Sequence, residues 1–170
     1  MNRRSLAKAE PRVAAAPREE GLSVGALMGR ARASFLSALD TELEQFGLNS
    51  MQFAVLKHLS DGAANTAADL CRLMHHDTGA MTRLLDRLEE KGLVRRERGR
   101  VDRRVVLLRV AGAGRALLPR LRALATAVVE AHLAGFSAAE VGALKDYLGR
   151  MIANGQLGGQ NHSLAGGADS

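Results

Sequence analysis

The sequence predicts a mainly α-helical chain carrying one small β-hairpin, and three observations predict it. Apolar residues recur at three- and four-residue steps through most of residues 23–152, the period of a helix with one buried face. The apolar content is Leu, Val and above all Ala, with only 3% aromatics and no Trp, a helix-favouring composition. One stretch, residues 93–110, abandons that period for two short strand-like runs around a turn.

The elements follow in order. Val24, Leu27, Ala31, Phe35, Leu39, Leu43 and Phe46 mark a first helix over 23–46, ended by Gly47. Asn49 and Gln52 form a capping box, with Leu48 and Phe53 as a hydrophobic staple, and open a second helix over 50–59. Ser60-Asp61-Gly62 breaks it. Thr66 and Asp69 form another capping box before a short third helix, 67–74, and His75-His76 makes a turn. Asp77 caps a fourth helix, 78–91, where a carboxylate also suits the positive end of the helix dipole. Its apolar stripe is Met81, Leu84, Leu85 and Leu88, and Gly92 closes it. Residues 93–98 and 104–110 are the strands of a hairpin with a basic tip. A fifth helix spans 112–134 with a heptad-like seam of Leu117, Leu121, Leu124, Val128 and Ala131, and Pro119 falls near its start. Ser137 and Glu140 box the start of a sixth helix carrying Val141, Leu144, Leu148, Met151 and Ile152. Residues 1–20 read as a disordered basic arm and 155–170 as a flexible tail.

Charge is distributed unevenly. The chain carries a formal +6. Residues 72–122 hold fourteen Lys/Arg against six Asp/Glu, whereas 21–71 and 123–170 each carry a net −2. A basic middle between mildly acidic flanks points to a polyanionic partner. The single cysteine, Cys71, excludes an intramolecular disulfide and a cysteine-based metal cluster. No stretch reads as a secretory signal or membrane span, so a soluble, cytoplasmic protein is expected. There is no phosphate loop, nucleophile–base pair or metal-ligand spacing, which argues against an enzyme. No cofactor is expected. A thin, Ala-rich core suggests that a second subunit completes it.

Helix, helix, short helix, helix, basic hairpin, long helix, helix is the layout of a winged helix-turn-helix over 48–110, flanked by helices 21–47 and 112–154 that would dimerise. Thr78, Gly79, Thr82, Arg83 and Arg87 face away from the apolar stripe of the fourth helix. Threonine hydroxyls can reach bases or phosphates, arginine can read guanine in bidentate fashion, and glycine lets backbone approach closely. The hairpin would place Arg98, Arg100, Arg103 and Arg104 at a neighbouring minor groove or phosphate run, with Asp102 orienting Arg104. Taken singly, Arg83 and Arg87 could merely pair with Asp86, Glu89 and Glu90; their joint position beside a basic hairpin favours double-stranded DNA as the partner. Cys71 reads as a small packed residue rather than a sensor. His75-His76 reads as a turn rather than a metal site, because adjacent histidines point apart and only Asp77 is near. Phe46 and Phe53 are candidate lining of an effector pocket, although core packing alone would account for them.

The stretch "DTGAMTRLLDRLEEKGLVRRERGRVDRRVVLLRV" resembles the recognition helix and wing of the MarR/SlyA family of bacterial regulators, and Asp102-Arg103-Arg104 matches that family's Asp-x-Arg wing motif. "GLNSMQFAVLKHL" is similar to its second helix and "GFSAAEVGALKDYL" to its last, so that the likeness spans 21–154 in helix order. The resemblance implies a homodimer joined by its terminal helices, two recognition helices one DNA turn apart on a palindromic operator, and release by a small phenolic or anionic effector. Repression is the default expectation. Two departures stand out. The family's capping Thr after the second wing strand is Ala111 here, at a local cost of about 1 kcal/mol. The reactive first-helix Cys of its peroxide-sensing branch is missing. The competing readings are a winged-helix module that binds a protein, marked by weak, salt-insensitive DNA binding, and a non-specific architectural DNA binder.

Overall fold

The computed structural model describes residues 21–99 and 104–164, with side chains in the last helix described up to Gln156. Among them are helices α1 (Val24–Glu44), α2 (Ser50–Ser60), α3 (Ala67–Met74) and α4 (Thr78–Glu90), strands β1 (Val94–Arg98) and β2 (Val106–Val110), and helices α5 (Gly112–His132) and α6 (Ala138–Leu164). The order is the predicted one. The chain divides into two compact units, Glu19–His132 and a second that contains the segment from Leu133 onward. Helices α1 and α5 therefore share a unit with the helix-turn-helix and hairpin, and α6 does not.

The element starts are set by caps. Ser23 accepts the Ala26 N–H, and Asn49–Gln52 and Thr66–Asp69 are complete capping boxes. A carboxylate also serves α2: Asp40 on α1 accepts the Ser50 N–H at 2.6 Å, which fastens the end of α1 to the start of α2. Helix α5 has no side-chain cap at Ala111, whose carbonyl accepts the Arg115 N–H at 2.9 Å. Pro119 lies two turns into α5, where its missing N–H leaves a gap in the ladder, yet the helix runs through it.

The core of the first unit is assembled from one face of each helix. Leu43, Val55, Leu56, Leu70, Met81, Leu85, Leu88 and Leu121 are fully buried, each stabilising the fold by about 1.5–3 kcal/mol through burial. Helix α5 packs on α1 and α2, α3 packs on α4, and the hairpin is held between α2 and α4. On α5 the buried residues are Gly114, Leu118, Leu121 and Val128; Ala131 of the expected seam is exposed. The strands pair antiparallel with Val94 opposite Val110 and Arg98 opposite Val106. The second strand starts later than 104, because residues 104 and 105 belong to the turn. Its other edge is engaged by the Leu108 N–H, which donates to the Asn65 carbonyl at 2.8 Å and anchors the hairpin to the start of α3.

Helix α6 opens with a full Ser137–Glu140 capping box: Glu140 accepts the Ser137 N–H at 2.7 Å, and Ser137 accepts the Glu140 N–H at 3.3 Å. It continues to Leu164. The flexible tail expected from residue 155 thus gives way to helix for its first ten residues. Glycines at 155, 158 and 159 weaken a helix but do not stop it as proline would. Residues 1–20 and 165–170 of the expected arm and tail lie outside the described residues.

Candidate nucleic-acid interface

The site begins at the turn between α3 and α4. His75 ends α3 in the left-handed region at φ 51°, and its N–H donates to the Cys71 carbonyl. Asp77 then caps α4, accepting the Ala80 N–H at 2.8 Å. That bond holds the Asp77 carboxyl below the usual carboxylate range. Cys71 is half-buried against the core, as its packed reading requires. The described residues contain no group of His, Cys, Asp or Glu suited to a metal ion.

Helix α4 has two unlike faces. Met81, Leu85 and Leu88 are 1%, 2% and 0% exposed. Thr78, Gly79, Thr82, Arg83 and Arg87 are all exposed: Gly79, Arg83 and Arg87 on the opposite side, Thr82 on the flank and Thr78 at the helix's first turn. The Thr82 hydroxyl donates to the Thr78 carbonyl at 2.8 Å, so toward a ligand it presents its acceptor lone pairs. Gly79 sits tightly against its cap: an added Cβ would come within 3.2 Å of Asp77 Oδ1. Among the described residues Arg83 and Arg87 form no ion pair with Asp86, Glu89 or Glu90.

Two of those carboxylates, Asp86 and Glu89, are taken by a residue that sequence reasoning missed. Arg96 on β1 donates through Nη2 to Asp86 Oδ1 at 2.6 Å, through Nη1 to Glu89 Oε2, and through its backbone N–H to Glu89 Oε1 at 3.1 Å. The Asp86 bond above all, and Glu89 next, push the Arg96 pKa up despite an opposing contribution from partial burial. The available signal was an acidic i, i+3 pair on the helix directly before a basic strand.

The hairpin joins α4 through a glycine turn. Gly92 adopts φ 67° after the C-cap Lys91, which lets the Gly92 N–H reach the Glu89 carbonyl and the Leu93 N–H reach the Leu88 carbonyl. On the other face of the sheet, Arg95 and Arg109 stand directly opposite each other and share Glu97, at 2.8 Å and 4.0 Å. Arg98 and Arg104 are exposed at the hairpin's end. Arg100, Asp102 and Arg103 lie outside the described residues.

The two phenylalanines part company. Phe53 lines a cavity of about 590 Å³ among α1, α2 and α5, together with Phe35, Leu39, Lys57, His58 and Arg122. Phe46 does not line it. Its ring lies under the Arg120 guanidinium, 4.8 Å from the centroid, and packs on the core instead. At the cavity's polar side Asp61 binds Lys57 at 3.0 Å and also Arg122, and these bonds, Lys57 first, lower the Asp61 pKa.

A two-helix turn with an exposed polar helix face, followed at once by a basic antiparallel hairpin, defines a winged helix-turn-helix protein. The MarR family model matches residues 46–105. The HTH-type transcriptional regulator MgrA of Staphylococcus aureus is 30% identical over 109 residues, which are 64% of this chain and 73% of MgrA. The HTH-type regulator YdgJ of Bacillus subtilis is 32% identical over 108 residues, 64% of this chain and 66% of YdgJ, so the match spans just under two thirds of that relative. Two solved structures share the architecture. A MarR variant from Escherichia coli complexed with operator DNA gives a TM-score of 0.69 at 28% identity, covering 75% of this chain and 92% of that one. BpsR of Bordetella bronchiseptica, whose DNA binding is regulated by 6-hydroxynicotinic acid, gives 0.69 at 26% identity, covering 81% and 98%. The chain belongs to the MarR family, a family of transcriptional regulators and not of enzymes. No helix among the described residues is long and apolar enough to cross a membrane.

Proposed function

We propose that the protein is a transcriptional regulator, a repressor by default, that binds a palindromic operator in double-stranded DNA as a homodimer and is released by a small aromatic or anionic effector. The observation that carries this reading is the α4 face: Thr78, Gly79, Thr82, Arg83 and Arg87 are exposed on one capped helix. Its two arginines are left free of ion pairs among the described residues while nearby carboxylates are engaged elsewhere. A helix entering the major groove needs donors that are not already spent. The operator-bound MarR structure, similar in fold at 28% identity, supports the same placement.

Dimerisation is supported by exposed apolar surface. Leu144, Tyr147, Leu148, Met151 and Ile152 recur at helical spacing on α6 and are 36–63% exposed. A single chain has no reason to leave such a stripe in water. An effector is supported by the cavity among α1, α2 and α5, where apolar Phe35, Leu39 and Phe53 face cationic Lys57 and Arg122. A planar carboxylate fits that chemistry by competing with Asp61 for its two cations, and BpsR's response to 6-hydroxynicotinic acid is a parallel.

The test is binding to a duplex that the wild-type protein selects from a randomised pool, against scrambled DNA, across salt concentrations. Regulation requires strong preference for the selected duplex. Arg83→Ala and Arg87→Ala should each weaken binding, and whichever contacts phosphate should flatten the salt slope by about one unit. Equal affinity for both duplexes would point to an architectural binder, and no binding to either would refute the reading.

A further inference from the structure

Resting on that DNA-binding reading, we infer that Arg96 is a positioning residue for recognition: it locks the hairpin to α4 and silences two carboxylates on the reading face of that helix. Gly79, Thr82, Asp86 and Glu89 follow one another at steps of three, four and three, so they form a single stripe along α4. The N-terminal half of the stripe carries the groups that would meet base edges. The C-terminal half carries two acids that would repel a phosphate backbone. Arg96 reaches both acids from β1 with both guanidinium ends, and its own backbone N–H grips Glu89 as well.

Two consequences follow from the one residue. The acids are neutralised without borrowing Arg83 or Arg87, which stay available. The hairpin is also fixed against the helix by three polar bonds from a single position, where the other described bonds between them are backbone bonds at the Gly92 turn. The remaining arginines of the sheet do not share this task, since Arg95 and Arg109 turn to Glu97 on the opposite face. Arg96 is thus spent inside the protein and is not a DNA contact. Lysine cannot replace it, having one point of charge where a planar fork spans two carboxylates.

The deciding experiment removes the acids. In Asp86→Ala/Glu89→Ala the net charge rises by two, which on electrostatics alone tightens DNA binding. If the ion pairs position the wing, affinity for the selected duplex falls about tenfold, the size of losing one good base contact, while affinity for scrambled DNA rises. The ratio of the two therefore collapses. A retained or increased ratio overturns the inference, because a merely structural role leaves a folded variant's selectivity intact. Should the double variant fail to fold, Arg96→Lys is read in the same way: a lowered ratio supports the inference and an unchanged ratio overturns it. Wild-type protein that shows no preference between the duplexes marks failure of the regulator reading itself, and this inference falls with it.

Discussion

Replacing Gly114 by Ala should destabilise the protein even though alanine is the better helix former. Gly114 is buried in the first turn of α5, where that helix presses on the base of the hairpin. A Cβ built there would lie 2.4 Å from the Leu93 carbonyl oxygen and 2.8 Å from Val110 Cγ1. Clearing even 3.0 Å requires a retreat of at least 0.6 Å. The Leu93 oxygen cannot retreat freely, because it accepts the Ala111 N–H at 2.9 Å. Overpacking of this kind costs about 1–3 kcal/mol. Weakening the Ala111 bond adds about 0.5–1.5 kcal/mol, and the gain in helix propensity returns about 1 kcal/mol. The net loss is about 0.5–3.5 kcal/mol, which for a chain of this length lowers Tm by about 1–14 °C. Thermal melts followed by far-UV circular dichroism, at one protomer concentration because association shifts Tm, measure it. Gly29→Ala is the matched control, since its added carbon meets nothing within 4 Å in mid-α1. It should gain up to about 1 kcal/mol. A Gly114→Ala protein that melts at or above the wild-type temperature would refute the packing account.

Two further outcomes are expected. His75 pays for a left-handed backbone at φ 51°, so His75→Gly should raise the urea midpoint through a gain in unfolding free energy of up to about 1 kcal/mol; a lower midpoint would mean that the imidazole makes a compensating contact. Asp61, Asp69, Asp77 and Glu140 all have pKa values lowered by hydrogen bonds, from Lys57, from Thr66, from the Ala80 N–H and from the Ser137 N–H respectively. Because folding depresses these values, their stabilisation is fully present above the unfolded values of 3.8 for Asp and 4.5 for Glu and is lost as pH falls through the folded ones. Urea midpoints should therefore hold between about pH 7 and 5 and drop below about 4.5. A midpoint that rose on acidification would contradict the assigned bonds.

Local signals were readable in the chain because their causes are local. A capping box needs only a hydroxyl or amide and a partner three residues on, so Asn49–Gln52, Thr66–Asp69 and Ser137–Glu140 were all found from sequence and all form. The exposed α4 face was readable for the same reason: once Met81, Leu85 and Leu88 are buried, the 3.6-residue period turns Gly79, Arg83 and Arg87 outward. What could not be read were contacts made across the fold. Arg122 meets Asp61 over a separation of 61 residues, and no periodicity encodes that pairing. Phe46 and Phe53 look alike in sequence, yet one rests under Arg120 and only the other reaches the cavity.

The arginines show the same limit at the functional site. Charge counting treats every basic residue in 72–122 as available to a polyanion. The structure divides them: Arg72, Arg96 and Arg122 are held by Asp69, by Asp86 and Glu89, and by Asp61, and Arg95 and Arg109 share Glu97. Arg83, Arg87 and Arg98 have no such partner among the described residues. A basic segment therefore overstates the number of charges that can meet DNA, and the salt slope of binding should fall short of the full count of arginines and lysines in it. The acids among the arginines set which of them remain free to read.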